Sequence, residues 1–284
     1  MLSLWLVPHA LPTPYEGQVQ PGERNYDLEV LYHQQAFEQG LIAVDARLAE
    51  HPEDKDLYWT KARFLFEIGE RMPSDDPTID REAHYKQMLE VVEQGLKIAP
   101  GDPGLRFARG AALARLATTR GVLASLWSAK EIEADWRFVA EHPTYRYASI
   151  EGIQVLPCDA YHALGMFYRL LPDRWIVGVL AGTRGDLDAS LALHSQATRC
   201  KPHEIKNWKE LAATQLCLGL QRREPKQVQQ GLQSLDRALA IEPRSDKERT
   251  DLRHAKMLQD DPSMACSYSR DGQQDRDTTD LKAP

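Results

Sequence analysis

The chain is missing most of the signatures that mark enzymes and membrane-spanning proteins, and each absence removes a class of function. Its 284 residues hold no run of 18 apolar side chains, so no spanning helix is expected. Basic residues are outnumbered, 35 Lys and Arg against 42 Asp and Glu. The net charge of −7, with no Lys/Arg-rich run, argues against nonspecific nucleic-acid binding. The longest basic cluster, Gln221-Arg222-Arg223, reads as a solvated turn. There is no His-Glu-x-x-His helix, no Gly-x-Ser-x-Gly elbow and no glycine-rich phosphate loop. The nine histidines are scattered and never sit three or four apart. No catalytic residue, metal site or cofactor is therefore expected, and the chain reads as a non-enzyme. Cysteines are few. Cys158, Cys200, Cys217 and Cys266 show neither C-x-x-C pairing nor metal-ligand spacing. Buried thiols are the expected state, and Cys200 with Cys217 is the candidate disulfide, because one ends a helix and the other continues the next.

What is present is the composition of a globular chain, 42% apolar and 27% charged, long enough for one elongated solenoid or two small domains. Its most regular stretch runs from Gly185 to Leu216. Leu187, Leu191, His194 and Ala197 recur at steps of four, three and three, which is one helical face. Asp186 is placed to cap that helix, because its carboxylate can accept the free amides of the first turn. Gly185 permits a tight approach before it, and Pro202 stops it. A second helix then carries Trp208, Leu211 and Ala212 on one face. Ala197 and Ala212 are small where paired helices must come within about 8–10 Å. His194 is expected to be a hydrogen-bonded core residue. Arg184-Gly185-Asp186 reads as the start of a helix rather than an adhesion signal, and Asp173-Arg174 as a surface ion pair.

These residues resemble the tetratricopeptide repeat. Gly185, Ala197 and Pro202 sit at the spacing of its glycine, late alanine and closing proline, and Trp208, Leu211 and Ala212 fit the opening of the following unit. The resemblance implies an all-α fold, an α-α superhelix built as a degenerate TPR-like solenoid of antiparallel helix pairs.

The remaining chain fits that reading. Prolines and glycine crowd residues 1–25, which read as an unstructured leader. Leu2 to Leu6 is apolar, but no Lys or Arg precedes it and Pro8 interrupts it, unlike a secretory signal. The expected location is cytoplasmic, or exported if a basic start lies upstream. The solenoid is expected over 26–260. Phe37, Leu41, Val44 and Leu48 form one helix face before His51-Pro52, and Tyr58, Ala62, Leu65 and Phe66 form the next. Asp80 caps a helix carrying Tyr85, Met88, Val92 and Leu96, closed by Pro100. Leu105, Gly110, Leu113 and Leu116 follow. Residues 120–140 form a further or broken helix ending at His142-Pro143, and Ala-Glu-His-Pro occurs twice, at 49–52 and 140–143. Tyr145 to Pro157 is the least regular part. Asp159 caps a helix through Leu171. The apolar connection holding Ile176, Val177, Val179 and Leu180 is expected to tuck against the solenoid. The last unit spans about 226–243, and a capping helix near Lys247 to Leu258 turns Arg249, Arg253 and Lys256 outward. Residues 261–284 have no apolar period and read as an unstructured tail.

The order of pieces suggests a subclass. Gly40-Leu41 through His51-Pro52 and Leu57-Tyr58-Trp59 to Ala62-Arg63 come first, then Gln94-Gly95-Leu96 closing at Pro100. Leu164-Gly165 with Phe167-Tyr168 follows, then Leu171-Pro172, Gly182, Gly185-Asp186 and Pro202. This order resembles bacterial relatives of the regulator-of-microtubule-dynamics proteins, and is similar to the periplasmic T component of some tripartite (TRAP) transporters. The Gly-Gly-Asp of the latter stands here as Gly182-Thr-Arg-Gly185-Asp186. The resemblance implies a binding scaffold without chemistry.

In the usual repeat geometry the first helix of each pair lines the concave side. That would place Trp59, Arg63, Phe66, Phe107, Arg115, Lys206 and Lys209 on the inner wall. The expected ligand is a protein or peptide partner, acidic or extended, in a basic and aromatic groove. The alternative is a small organic ligand in a central pocket of an exported accessory protein, and an unrecognised enzyme is the second alternative. Trp59 and Arg63 are expected to serve binding rather than stability.

Overall fold

The computed structural model describes residues 19–269, apart from 74, 75, 77, 121–125 and 143. Leu2 to Leu6, Pro143 and the tail from 270 therefore lie outside the described residues. Twelve α-helices occur among those described: α1 Tyr26–His33, α2 Phe37–Glu50, α3 Lys55–Arg71, α4 Arg81–Ile98, α5 Pro103–Arg120, α6 Leu126–Ala140, α7 Cys158–Leu170, α8 Trp175–Ala181, α9 Leu187–Cys200, α10 Ile205–Arg222, α11 Pro225–Leu239 and α12 Asp246–Asp260. Apart from the short α8, consecutive helices pack on each other, and the short connections between most of them make those pairs antiparallel. Helices one unit apart also touch, α3 with α5, α7 with α10 and α10 with α12. Pairing with the next helix and stacking on the one beyond is the pattern of an α-solenoid.

The repeat is visible in its chemistry. α2, α4 and α9 end on residues of nearly one conformation, His51, Ala99 and Lys201, each with φ −133° and ψ between 63° and 79°. A proline follows each of them, at 52, 100 and 202. Its carbonyl accepts a hydrogen bond from the side chain six residues on: Tyr58 Oη at 2.8 Å, Arg106 Nε at 3.0 Å and Trp208 Nε1 at 2.8 Å. A proline without an amide stops one helix, and its free carbonyl pins the next. Asp54, Asp80 and Asp186 cap α3, α4 and α9 as acceptors of first-turn amides, each cap worth about 1 kcal/mol.

The central pair is built as its sequence predicts. Ala197 and Ala212 have no exposed surface. Gly185 is required where it stands, because a Cβ there would lie 1.9 Å from the Leu171 carbonyl oxygen. Three of the five apolar clusters among the described residues are the largest and run along the solenoid. Leu28, Phe37, Val44, Leu57 and Phe64 form the first. Leu65, Tyr85, Val92, Leu105 and Trp136 belong to the largest. Ile205, Ala212, Leu216, Leu235 and Leu258 belong to the third.

Four expectations change. Asp159 does not cap α7. Pro157 occupies that position, and the Asp159 carboxylate turns to two lysines. The irregular stretch after Tyr145 contains a two-stranded antiparallel ribbon, β1 Tyr147–Ala148 with β2 Gln154–Leu156. The cysteines are not free thiols: Cys158 pairs with Cys200 and Cys217 with Cys266, so the Cys200–Cys217 candidate is wrong. Cys200 ends α9 against Cys158 in the first turn of α7, a helix on which α9 packs as it does on α10. Lastly, the chain stays folded beyond Asp261. Pro262–Cys266 forms a 3₁₀ turn on α10 and α12, tied by the Cys217–Cys266 bridge, with the Tyr268 ring buried in the third core. One aromatic and one disulfide order a segment whose polar composition hides both.

Candidate functional site

Alternate helices face inward. On α3, Trp59, Arg63, Phe66 and Glu70 fall at steps of four, three and four, one face of a helix started by its Asp54 cap. On α5 the inner face is Phe107, Ala111 and Arg115; on α7 it is Asp159, His162 and Met166; on α10 it is Lys206 and Lys209. With Lys247 and Asp251 of α12 these residues surround a cavity of about 470 Å³. All seven of the residues expected on the concave wall line it: Trp59, Arg63, Phe66, Phe107, Arg115, Lys206 and Lys209. The concave side is a chamber rather than an open groove, because the solenoid curls until Lys247 Nζ, 3.4 Å from Glu67 Oε2, bridges positions 180 residues apart. The chamber opens into a second hollow of about 1110 Å³, rimmed by Glu29, His33, Ile153, Arg244 and Thr250.

The lining of the chamber is of two kinds. Ala111, Ala114, Ala163, Ile132, Met166 and Phe167 make part of it apolar. The rest is charged but not basic. Six cations (Arg63, Arg115, Lys201, Lys206, Lys209, Lys247) meet six carboxylates (Glu67, Glu70, Asp159, Glu204, Glu210, Asp251). The expected basic groove is thus corrected to a wall without net charge. Six long cations on adjacent inner faces repel one another in a low-dielectric space unless each has a counter-charge.

The pairing is specific. Arg63 Nη1 donates to Glu29 Oε1 at 2.5 Å, and Tyr147 Oη donates to Glu29 Oε2 at 3.0 Å. The same guanidinium lies 3.9 Å from the Tyr32 ring centroid. Arg115 reaches Glu70 at 2.7 Å. Lys201 and Lys206 each lie 3.0 Å from Asp159 Oδ1. Lys209 holds Asp251 at 2.7 Å and Glu210 at 3.0 Å, and Arg169 takes the other oxygen of Glu210 at 2.5 Å. Burial pushes the Asp159 and Glu210 carboxyls up, but the neighbouring ammonium and guanidinium groups outweigh it and hold both well below the usual carboxylate range. Burial likewise pushes Lys206 and Lys209 down, and their carboxylates win, leaving both above the ordinary lysine value. Arg63 at 8% exposure and Lys209 at 0% are therefore structural as well as wall-forming, contrary to the expectation that Arg63 serves binding alone.

His162 and His194 lie in the same layer, ring centroids 5.8 Å apart. His194 is fully buried as expected, but neither ring nitrogen has a hydrogen-bond partner, and His162 Nδ1 also lacks one. Burial, then the Lys206 charge, pushes His162 down to about 4, while burial and His162 push His194 well below its ordinary value. The expected Asp173–Arg174 ion pair does not form; Asp173 pairs with Arg184 at 3.5 Å. Among the described residues no group of three His, Cys, Asp or Glu side chains is placed to hold a metal ion.

Sequence reasoning missed the α7 and α12 walls. The signal on α7 was present, since Asp159, His162 and Met166 fall at steps of three and four on a helix whose other side is apolar. Lys247 and Asp251 gave none, because a polar face on a terminal helix looks the same whether it meets water or the other end of the array.

No family model matches the chain, and no curated protein matches it. Among solved structures it is similar to TTC0263, a thermophilic TPR protein in Thermus thermophilus, at 17% identity and a TM-score of 0.49, over 82% of this chain and 97% of that one. It is also similar to MamA 41-end from Desulfovibrio magneticus RS-1, at 14% identity and a TM-score of 0.42, over 78% and 93% of the two chains. A MamA RS-1 ArsTM double mutant stands at 13% and 0.42, over 75% and 89%. The chain has a tetratricopeptide-like helical-repeat fold, established by its own stacked helix pairs.

Proposed function

We propose that the chain is a non-catalytic scaffold that takes an extended segment of a protein or peptide partner into its inner chamber. One observation carries the reading: side chains from α3, α5, α7, α10 and α12, remote in sequence, converge on one cavity lined by aromatic and alanine side chains and by paired charges. Aromatic and Arg side chains on rigid helices are what the centre of a binding surface requires. A wall without net charge favours a neutral extended backbone over an acidic one. Peptide amides can share the carboxylates, peptide carbonyls the ammonium groups, and an apolar side chain the alanine lining.

Ala114→Trp tests this, because it places a large side chain in the cavity without removing either partner of an ion pair. Peptides selected from a random library against the native chain should bind it in titration calorimetry and lose that binding in the variant, with far-UV circular dichroism unchanged. Peptides that bind both proteins equally would place the working surface elsewhere. A second reading, a small organic ligand, is favoured by the Lys247–Glu67 closure and by a cavity within the roughly 300–1,000 Å³ of small-molecule sites. It is also what resemblance to the transporter T component implies. Native mass spectrometry separates the two: a small mass retained by the purified chain and lost in Ala114→Trp supports the second.

A further inference from the structure

The α8 sequence, Trp-Ile-Val-Gly-Val-Leu-Ala, is apolar on every side. A helix of that composition belongs in a core. Only Val177 and Ala181 are buried, against Ala129, Phe167 and Leu171. The opposite side is open. Trp175 is 74% exposed, Val179 71%, Leu180 51% and Ile176 49%. The pairs 175/179 and 176/180 are each one helical turn apart, so these four make one continuous face. Trp127, in the first turn of α6 beside α8, is 79% exposed. The expectation that this connection tucks into the solenoid holds for two residues and fails for four.

Basic side chains frame the face. Arg174 stands at the N-cap of α8. The Arg184 side chain lies alongside Gly178, 3.8 Å from the Cβ position there, and Lys130 lies alongside Gly182 at 3.0 Å. Two carboxylates lie among them, Asp173 paired with Arg184 and Glu131 paired with Arg109. Three cations against these two paired anions make a basic margin on a chain whose net charge is −7.

We propose that this face docks the protein on an anionic lipid surface, with Trp127, Trp175 and Val179 seated among the headgroups and Arg174, Arg184 and Lys130 on lipid phosphates. Two nearly naked indoles beside aliphatic side chains, ringed by Arg and Lys, are the composition of an interfacial anchor. Scaling typical side-chain areas of about 150–250 Å² per aromatic by the exposures puts the face on the order of 600 Å². A stable protein interface takes about 800 Å² from each partner, somewhat over half of it apolar, so the area also suits a second copy of this chain, and it is the framing Arg and Lys side chains that favour lipid phosphates. Arg and Lys can lay their stems along the apolar rim while their heads reach the phosphates. The docking does not depend on what occupies the chamber.

The test is flotation of the full chain with phosphatidylcholine vesicles prepared with and without phosphatidylglycerol. Flotation with the anionic vesicles is expected, weaker with phosphatidylcholine alone and weaker as salt is raised. Trp127→Ser/Trp175→Ser and, separately, Val179→Asp should each cut partitioning by about tenfold or more. Their melting curves should match the parent, since these side chains are exposed. Brominated lipid should quench tryptophan emission in the parent and not in the double variant. Absence of flotation with anionic vesicles, or flotation undiminished in both variants, would overturn the proposal. So would self-association in sedimentation that Val179→Asp abolishes while no vesicle binding is seen, which would assign the face to a second copy.

Discussion

Lowering the pH should loosen this protein before its carboxylates titrate, and the buried histidine pair sets the size of the effect. An unfolded histidine carries its ordinary value of 6.5, whereas burial holds His162 at about 4. Below 6.5 the unfolded chain therefore takes up a proton that the folded chain refuses. Stability is complete above that value and falls as the pH drops toward 4. Linkage makes the loss between about pH 7 and about pH 5 roughly 2 kcal/mol for His162. His194, pushed well below its ordinary value and without a partner for either nitrogen, shifts the dependence in the same direction. The loss over that interval should therefore be at least the roughly 2 kcal/mol of His162. Asp159 and Glu210 act in a separate window. Both are held down, so the stability they contribute persists until the pH falls through the ordinary carboxylate range. Urea titrations followed by far-UV circular dichroism at stepped pH values read the effect directly. With a slope of about 2–3 kcal/mol per molar, the midpoint should fall by at least about 0.7 M. His162→Gln/His194→Gln should flatten the dependence, because glutamine does not titrate. A parent midpoint that stays level over this interval, or a slope that survives in the double variant, would refute the argument.

Three other outcomes follow from the packing. Gly165→Ala places a methyl 2.7 Å from the fully buried His194 ring and should cost about 1–3 kcal/mol by overpacking, while Gly101→Ala, with nothing within 4 Å of its Cβ, serves as the harmless control in the same melt. Arg63→Ala leaves the buried Glu29 carboxylate without its cation and should lower stability by about 3–5 kcal/mol; a melting temperature equal to the parent would show that the pair is dispensable. Cys217→Ser/Cys266→Ser opens a bridge of sequence separation 49 and should cost about 4 kcal/mol by chain entropy. Limited proteolysis should then cut near Ala265 in that variant first, and equal resistance would show that Tyr268 alone holds the segment.

Local signals were legible wherever one residue's chemistry decides the backbone. Asp80 and Asp186 cap helices because a short carboxylate meets free amides. Pro52, Pro100 and Pro202 stop helices because proline has no amide. Ala197 and Ala212 are buried because their helices carry apolar faces with the period of a helix. From those steps the solenoid and its inner faces followed, and the seven wall residues with them. Misread were features in which the partner lies far along the chain. Asp159 looked like a cap and is a counter-ion to Lys201 and Lys206. His194 looked like a hydrogen-bonded core residue and has no partner. Four cysteines without local pairing proved to be two long-range bridges.

The sequence by itself determined the all-helical repeat, because helix period, caps and stops are encoded within a few residues of where they act. Only the tertiary structure decided that the concave side closes into a chamber and that its charges cancel. It also decided that one face of α8 is left uncovered. Each of these depends on the curvature summed over many helix pairs, which brings Lys247 to Glu67 and leaves Trp127 and Trp175 outside. Small differences in each pair's packing angle add along the array, and no short stretch of sequence records their sum.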